Sequence, residues 1–305
     1  MDRIHRFRCM WSPMLMLNET MKKSIVIVII CALSLSQVLC AQTARSLFMK
    51  SDGKQIPEIF SESGNEYKTV GHHGPAVENT YMALRIYFND SGAIDVYSKT
   101  GRGMELEKYG WYPTEEEQRK YGLGCDEYLV GKTVGLGGIA LWDGEKEVKL
   151  KATRGRLARV GDTKKGCYAE MISYGVPYCG DTVDVMVRIE VTSKTRVAKV
   201  TAEELSGKKV RFLTGVNYPA GAYTVSGDGY ICVWGVHPAD VSDDPCPVGG
   251  GMFFRKGDFG EPEKTEDMIR IVSGPVSRIQ TGIVSASTKE AELNSARRFE
   301  SYMSR

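Results

Sequence analysis

Side chains able to do chemistry are concentrated in one segment, VGHHGPAVENTYMALRIYFNDSGAIDVYSK at residues 70–99. It opens with GHHGP, whose glycines and proline are typical of a loop. Loops carried by a rigid sheet are common places for binding and catalytic groups, and histidine moves protons near neutral pH. His72 and His73 are therefore candidates for acid–base catalysis, although an ordinary surface loop has the same features.

A β-hairpin is predicted directly after this loop. Apolar and polar side chains alternate from residue 81 to residue 89, NDSG follows as a turn, and residues 93–98 alternate again. The apolar face should lie in the core and consists of Met82, Leu84, Ile86 and Phe88. The opposite face brings four polar or aromatic side chains together, namely Arg85, Tyr87, Asp95 and Tyr97.

Strand patterns recur in the rest of the chain. The clearest covers residues 183–192, and further strands are predicted at 196–204, 210–216, 230–236, 252–255, 268–272 and 278–285. The spacings of Thr114 with Glu117 and of Ser287 with Glu290 match capping boxes and predict two short helices. The first should lie on the surface as a lid, and the second should bury Leu293, Ala296, Phe299 and Met303. This pattern predicts an all-β fold, a large antiparallel β-sandwich with two short helices.

The N-terminal residues predict export. A basic start at residues 21–23 precedes an apolar run and then small residues, which is the layout of a signal peptide. We expect residues 1–20 to be an extension before the true start, 21–41 the signal peptide, and 42–305 one domain. The predicted location is periplasmic or secreted, without a stable membrane span after cleavage. Lipid anchoring through Cys40 is the alternative, although Leu39 is bulky for the position before a lipidated cysteine.

Composition and motifs exclude several classes of function. The formal net charge of +2 gives no electrostatic reason to expect nucleic acid. The chain has no G-x-S-x-G or H-E-x-x-H motif, and its GLGG run at residues 135–138 matches no phosphate-binding loop. No cofactor and no metal site is predicted. Three acids, Asp240, Asp243 and Asp244, lie in a loop that is either solvated or able to bind calcium.

Five cysteines follow residue 41, and none forms a C-x-x-C pair typical of zinc sites. Export permits disulfides. The pairs nearest in sequence are Cys167–Cys179 and Cys232–Cys246, and the alternative is that all five, including Cys125, are free thiols.

The polar residues are suited to elimination from a uronic acid. That reaction needs a cation or donors at the carboxylate, a base for the adjacent proton and an acid for the leaving oxygen. The candidate acids and bases are His72, His73, Tyr87 and His237. The candidate substrate contacts are Glu78, Arg85, Asp95, Lys99, Lys132, Trp142 and Trp234, with Arg85 as the partner of the carboxylate. The tryptophans, including Trp111, are suited to stacking on sugars. His237 also fits an ordinary strand end.

Two blocks, HHGPAVENTYMALRIYFNDSGAIDVYSK and YGLGCDEYLVGKTVGLGGIALWDG, resemble the domain-of-unknown-function family 4861. The resemblance implies a galactose-mutarotase-like or polysaccharide-lyase "supersandwich", found mainly in secreted Bacteroidetes-type proteins. It also implies a link to polysaccharide breakdown and to dehydration of uronate-containing oligosaccharides. The positions that match the family blocks are His72, Glu78, Arg85, Tyr87, Asp95, Lys99, Asp126, Lys132 and Trp142.

These observations together predict a carbohydrate-active protein that processes uronate-containing oligosaccharides by elimination, as a dehydratase or lyase. Two alternatives stay open: a non-catalytic glycan-binding module and a mutarotase-like sugar epimerase. Clustering of His72, Arg85, Tyr87 and His237 in one cleft would favour an enzyme, whereas a flat face carrying only tryptophans would favour binding.

Overall fold

The computed structural model describes residues 42–238 and 245–305. The predicted N-terminal extension, the signal peptide, Cys40 and the acidic loop with Asp240, Asp243 and Asp244 therefore lie outside the described residues. Among the residues that are described, no helix is long and apolar enough to cross a membrane.

Strands dominate the described part of the chain. In chain order they are β1 (Thr43–Ser46), β2 (Glu58–Ser61), β3 (Ala76–Asn79), β4 (Ala83–Ile86), β5 (Ile94–Ser98), β6 (Cys125–Asp126), β7 (Ala140–Trp142), β8 (Glu147–Val148), β9 (Arg156–Asp162), β10 (Gly166–Tyr178), β11 (Asp181–Thr192), β12 (Ala198–Glu204), β13 (Phe212–Asn217), β14 (Tyr223–Gly227), β15 (Tyr230–Gly235), β16 (Val248–Phe253), β17 (Glu263–Lys264), β18 (Met268–Val272) and β19 (Arg278–Ser287). The α-helices are α1 (Leu106–Tyr109), α2 (Glu115–Tyr121) and α3 (Ala296–Met303).

The strands form three sheets. The largest has the order β14-β15-β16-β19-β12-β11-β10-β9-β2, and two five-stranded sheets have the orders β1-β3-β4-β5-β6 and β17-β18-β13-β7-β8. Neighbouring strands pair antiparallel, as in the long β10–β11 and β11–β12 ladders. Apolar side chains from all three sheets, such as Leu84, Val187 and Ile271, form one core cluster. The predicted all-β fold with large antiparallel sheets is confirmed.

The hairpin prediction is confirmed for β4 and β5, which pair in register with Arg85 opposite Asp95. The side chains of Met82, Leu84 and Ile86 are buried in the core. The opposite face is covered as well, because Tyr97 packs with Leu106 and Trp111 of the following segment. Most of the polar face of the hairpin is therefore buried, including Arg85, Asp95 and Tyr97.

Both predicted helices exist, with one change of boundary. Helix α2 has the predicted capping box between Thr114 and Glu117. Helix α3 begins at Ala296, capped by Ser295, and not at Ser287, because β19 extends to Ser287 and pairs there with β16. Its apolar stripe is as predicted at Phe299 and Met303, both buried.

The five described cysteines are all free thiols. Cys167 lies near the start of β10 and Cys179 follows its end. At about 3.3 Å of rise per residue they are roughly 40 Å apart, far beyond the span of a disulfide. Pairing of Cys167 with Cys179 was therefore a wrong expectation.

Candidate functional site

Arg85 is the centre of a buried polar cluster. Its side chain is 1% exposed, because β4 lies between β3 and β5 and the segment of residues 100–124 covers it. Nε donates to Asp95 Oδ2 at 2.9 Å across the hairpin, and Nη2 donates to Asp126 Oδ2 at 2.8 Å on β6. Burial alone would lower the pKa of Arg85, but the carboxylates of Asp95 and Asp126 outweigh it and raise that pKa.

Aromatic rings surround the same guanidinium. Its carbon lies 4.2 Å from the ring centroid of Trp111, 5.0 Å from that of Tyr87 and 5.5 Å from that of Tyr112. These distances are those of cation–π contacts. Nη1 also donates to Tyr112 Oη at 2.9 Å. We call Arg85, Asp95, Asp126, Tyr87 and Tyr112 the Arg85 cluster.

The two phenols of the cluster differ in how their protons are used. Tyr87 Oη donates to Asp95 Oδ2 at 2.7 Å. Tyr112 Oη accepts from Arg85, and within the described residues its own proton has no acceptor. Burial raises the pKa of both phenols, so both stay protonated near neutral pH. Tyr112 is therefore placed to donate a proton outward.

The cluster carries more negative than positive charge. One guanidinium faces the two carboxylates of Asp95 and Asp126. A further anion placed against Arg85 would meet those carboxylates at close range, where electrostatic interactions are strong because little water is present. The predicted pairing of Arg85 with a substrate carboxylate is therefore unfavourable in this arrangement.

Glu78 and Lys99 hold the covering segment in place. Lys99 Nζ donates to Glu78 Oε1 at 2.6 Å, and both side chains are buried. The Glu78 carboxylate also accepts from the backbone N–H groups of Glu105 and Leu106 at 2.8 and 3.0 Å. Because these contacts fix the segment that carries Trp111, the two residues predicted as substrate contacts are used within the protein.

The histidine loop has a left-handed backbone, with φ of 54° at His72 and 58° at His73. This conformation is uncommon for residues other than glycine. It turns the His72 carbonyl oxygen toward Arg85, whose Nη1 donates to it at 3.2 Å. Gly74 completes the loop, because a side chain there would collide with the carbonyl oxygen of Ile86.

The two histidine rings occupy different surroundings. The ring of His72 is buried and hydrogen-bonds through Nε2 to Ser46 Oγ at 3.1 Å, away from the open space in front of Arg85. Burial lowers the pKa of His72 to about 4. His72 is therefore a neutral structural side chain whose backbone, not its ring, contacts Arg85.

His73 is half-buried and stacks on Tyr67, with the ring centroids 4.0 Å apart. Its Nδ1–H donates to the Tyr67 carbonyl oxygen at 2.5 Å. That bond fixes the tautomer and leaves Nε2 as the proton acceptor. Burial lowers the pKa of His73, which keeps the ring neutral near pH 7. The ring centroid lies 5.9 Å from that of Tyr112.

An open cavity of about 560 Å³ lies over the cluster. This volume is within the usual range for ligand sites. Its lining includes Arg85, Asp126 and four tyrosines, Tyr67, Tyr87, Tyr112 and Tyr128. Hydroxyl groups, a carboxylate and aromatic faces are the groups that sugars contact, so the cavity is suited to a polar ring with an apolar face.

Lys149 contributes a cation to the cavity. Its Nζ donates to the Lys132 carbonyl oxygen at 3.1 Å, and in the described residues no carboxylate lies within ion-pair distance of it. Lys132, predicted as a substrate contact, is exposed and does not line the cavity. Lys149 is more than 70 residues from the histidine loop, so no pattern in the sequence connects it with the site.

The remaining predicted residues lie away from the cavity lining. The guanidinium carbon of Arg270 lies 4.6 Å from the ring centroid of Trp142. Trp234 packs against Phe299, with the two ring centroids 5.7 Å apart. His237 is buried behind the cavity wall, 4.5 Å from the ring centroid of Tyr128, and burial lowers its pKa to about 4. Of the predicted residues, Arg85 and Tyr87 line the cavity, whereas Asp95 and His73 contact lining residues without lining it themselves.

Sequence reasoning missed Tyr67, Tyr112, Tyr128 and Lys149 as lining residues. Asp126 ends β6 and Tyr128 lies in the irregular segment after it, so strand periodicity gave no signal for Tyr128. No group of three or more His, Cys, Asp or Glu side chains in the described residues is placed to hold a metal ion.

Comparisons with known proteins give one family. The model of the family described as "Domain of unknown function (DUF4861)" matches residues 40–305. No curated protein matches the chain. Among solved structures, 4-alpha-glucanotransferase from Thermococcus litoralis is similar with 14% identity and a TM-score of 0.32, over 71% of this chain and 40% of that chain. The chain thus spans less than half the length of that protein.

Proposed function

We propose that this chain, which belongs to the DUF4861 family, is a carbohydrate-active enzyme. In this proposal it acts on uronate-containing oligosaccharides by β-elimination. Membership follows from the family model, which matches residues 40–305. The observation that carries the proposal is the Arg85 cluster, which lies in the wall of an open polar cavity beside a histidine with a fixed tautomer.

The proposed reaction begins at a uronate residue of the oligosaccharide. A base removes the proton from the carbon next to the carboxylate, the neighbouring carbon–oxygen bond breaks, and a carbon–carbon double bond forms between the two carbons. An acid protonates the departing oxygen. If that oxygen belongs to a hydroxyl group, water leaves and the enzyme is a dehydratase. If it belongs to a glycosidic bond, a shorter saccharide leaves and the enzyme is a lyase.

His73 is the proposed base. Its Nδ1–H is held by the Tyr67 carbonyl oxygen at 2.5 Å, so Nε2 has the free lone pair. The ring is half-buried and adjoins two residues of the cavity lining, Tyr67 and Tyr112. Its lowered pKa keeps it unprotonated at neutral pH. His72 lacks these properties because its ring is buried against Ser46.

Tyr112 is the proposed acid, in place of Tyr87. Its phenol lines the cavity and has a proton without an acceptor in the described residues. Arg85 Nη1, at 2.9 Å from Oη, holds the phenol in position and offsets part of the repulsion that Asp126 and Asp95 exert on the phenolate formed when the proton leaves. The Tyr87 proton, by contrast, is held by Asp95 at 2.7 Å.

Lys149 is the proposed partner of the substrate carboxylate. Arg85 already contacts two carboxylates, whereas Lys149 lines the same cavity with no acid within ion-pair distance in the described residues. A cation next to the carboxylate withdraws charge from the developing carbanion and so favours removal of the neighbouring proton. The proposed location, periplasmic or secreted, rests on the signal-peptide pattern of residues 21–41.

The test is incubation of the protein with a panel of uronate oligosaccharides, followed by ultraviolet absorbance and mass spectrometry. A new chromophore with loss of one water identifies a dehydratase, and new chain ends without added water identify a lyase. The His73→Gln variant should lose the signal, while the matched His72→Gln variant should keep it. Glycan binding without any product in the wild-type protein would refute elimination and leave a binding module.

A further inference from the structure

A second groove, of about 420 Å³, runs along helix α3 and shares no lining residue with the cavity over the Arg85 cluster. Helix α3 buries Phe299 and Met303 against the sheet. The groove is lined from the opposite side of the helix, chiefly by the exposed arginines Arg297, Arg298 and Arg305. We call it the α3 groove.

Among the residues that line the α3 groove, positive charges outnumber negative ones. The acid that lines it is Glu292, and this carboxylate already pairs with Arg102 and Arg196. Arg298 donates to the Asn294 side-chain oxygen at 3.1 Å, and this partner is neutral. For Arg297 and Arg305 no carboxylate lies within ion-pair distance in the described residues.

The arginines also oppose the preference of the helix itself. Arg297 and Arg298 lie in the first turn of α3, which contains no acid. The N-terminal end of a helix carries a partial positive charge, so cations there destabilise it and acids would stabilise it. Helix stability therefore does not account for these residues.

We propose that the α3 groove binds an anionic saccharide chain, a stretch of polyuronate outside the cavity that holds the reacting residue. The class of ligand rests on the proposed function, in which the substrate is a uronate oligosaccharide. Arginine suits this ligand because its planar guanidinium donates two parallel hydrogen bonds to a carboxylate. Tyr302, half-buried in the groove lining, supplies an aromatic face for a sugar ring.

The test compares two triple variants that remove the same charge. One is Arg297→Gln/Arg298→Gln/Arg305→Gln in the α3 groove. The matched control is Lys164→Gln/Lys165→Gln/Lys194→Gln, three exposed lysines in turns of the large sheet. Both are run with the wild-type protein by affinity electrophoresis in gels containing polygalacturonate, with fully methyl-esterified polygalacturonate as the uncharged reference.

The groove variant should lose roughly 10-fold in affinity for polygalacturonate, a loss of the size expected for three exposed charge contacts. The control and the wild-type protein should be retarded equally, and added salt should abolish the difference. Equal retardation of both variants would overturn the proposal. Because the groove variant removes cations from a helix N-terminus, its thermal midpoint should not fall, so weaker binding is not misfolding. The retardation of the protein in the gel measures binding and requires no reaction. Absence of catalysis would therefore refute the proposed function and leave this inference intact.

Discussion

Mild acid should destabilise the folded protein through two buried histidines, His72 and His237. Burial lowers the pKa of each from the ordinary value of 6.5 to about 4. Between these values the unfolded chain binds a proton at each ring and the folded protein does not. The free energy of unfolding therefore falls as pH decreases through 6.5, and this loss is complete below pH 4.

The size of the effect follows from the two pKa values. At about pH 5 one such histidine costs about 2 kcal/mol of folding free energy relative to about pH 7.5, so the pair costs about 4 kcal/mol. Native domains are typically stable by about 5–15 kcal/mol, so a loss of this size is easily measured.

The assay is urea unfolding at about pH 7.5 and about pH 5 for the wild-type protein and for His72→Gln and His237→Asn. Glutamine keeps a polar group near Ser46 Oγ, the contact of His72 Nε2. Asparagine keeps a polar group near the Leu129 backbone that contacts His237. Carboxylates titrate in all three proteins, so each variant should lose about 2 kcal/mol less than the wild-type protein on acidification. Identical pH dependence in all three would show that the buried rings are not the acid-sensitive groups, and would refute the reasoning.

Three further predictions concern turnover. His73→Gln should lower kcat by about 100-fold. Because the pKa of His73 is lowered, the acid limb of the wild-type pH–rate profile should lie below the ordinary histidine pKa of 6.5. An acid limb above that value would argue against His73 as the base. Tyr112→Phe should also lower kcat by about 100-fold. Tyr87→Phe should instead lower the free energy of unfolding, by about 1 kcal/mol, because it removes one of the hydrogen bonds that the buried Asp95 carboxylate accepts while those from Arg85 remain. Equal kcat losses without loss of stability would contradict this division. Lys149→Gln should raise KM about 10-fold. The matched control is Lys146→Gln, which removes an exposed lysine three residues earlier that does not line the cavity. An unchanged KM for Lys149→Gln would exclude Lys149 as the carboxylate partner.

The role of a polar side chain in this site depends on the charges of its neighbours more than on its own residue type. Arginine is the usual partner of a carboxylate, and the sequence therefore suggested Arg85 for the uronate. In the fold Arg85 is surrounded by Asp95, Asp126 and three aromatic rings. Its positive charge contacts carboxylates and phenols of the protein, so the cation proposed for the ligand is the exposed Lys149 instead.

The sequence by itself determined the local elements. Alternation at residues 81–98 specified the hairpin and its core face, since the side-chain direction in a strand has a period of two whatever packs against it. The same reasoning located β18 at residues 268–272 and β11 within residues 181–192. It did not single out β10, the longest strand, because a register shift between Ser173 and Val176 interrupts its alternation.

Only the tertiary structure decided which of the candidate side chains meet. Arg85 and Asp126 are 41 residues apart in the chain, and no periodicity relates them. Glu78 and Lys99 have the residue types of a binding site but are used to anchor the covering segment. His72 and His73 are neighbours of the same type with similar φ angles, yet one ring contacts Ser46 and the other contacts Tyr67. Local sequence sets backbone preference, whereas the pairing of charges and the direction of a ring depend on segments that only folding brings into contact.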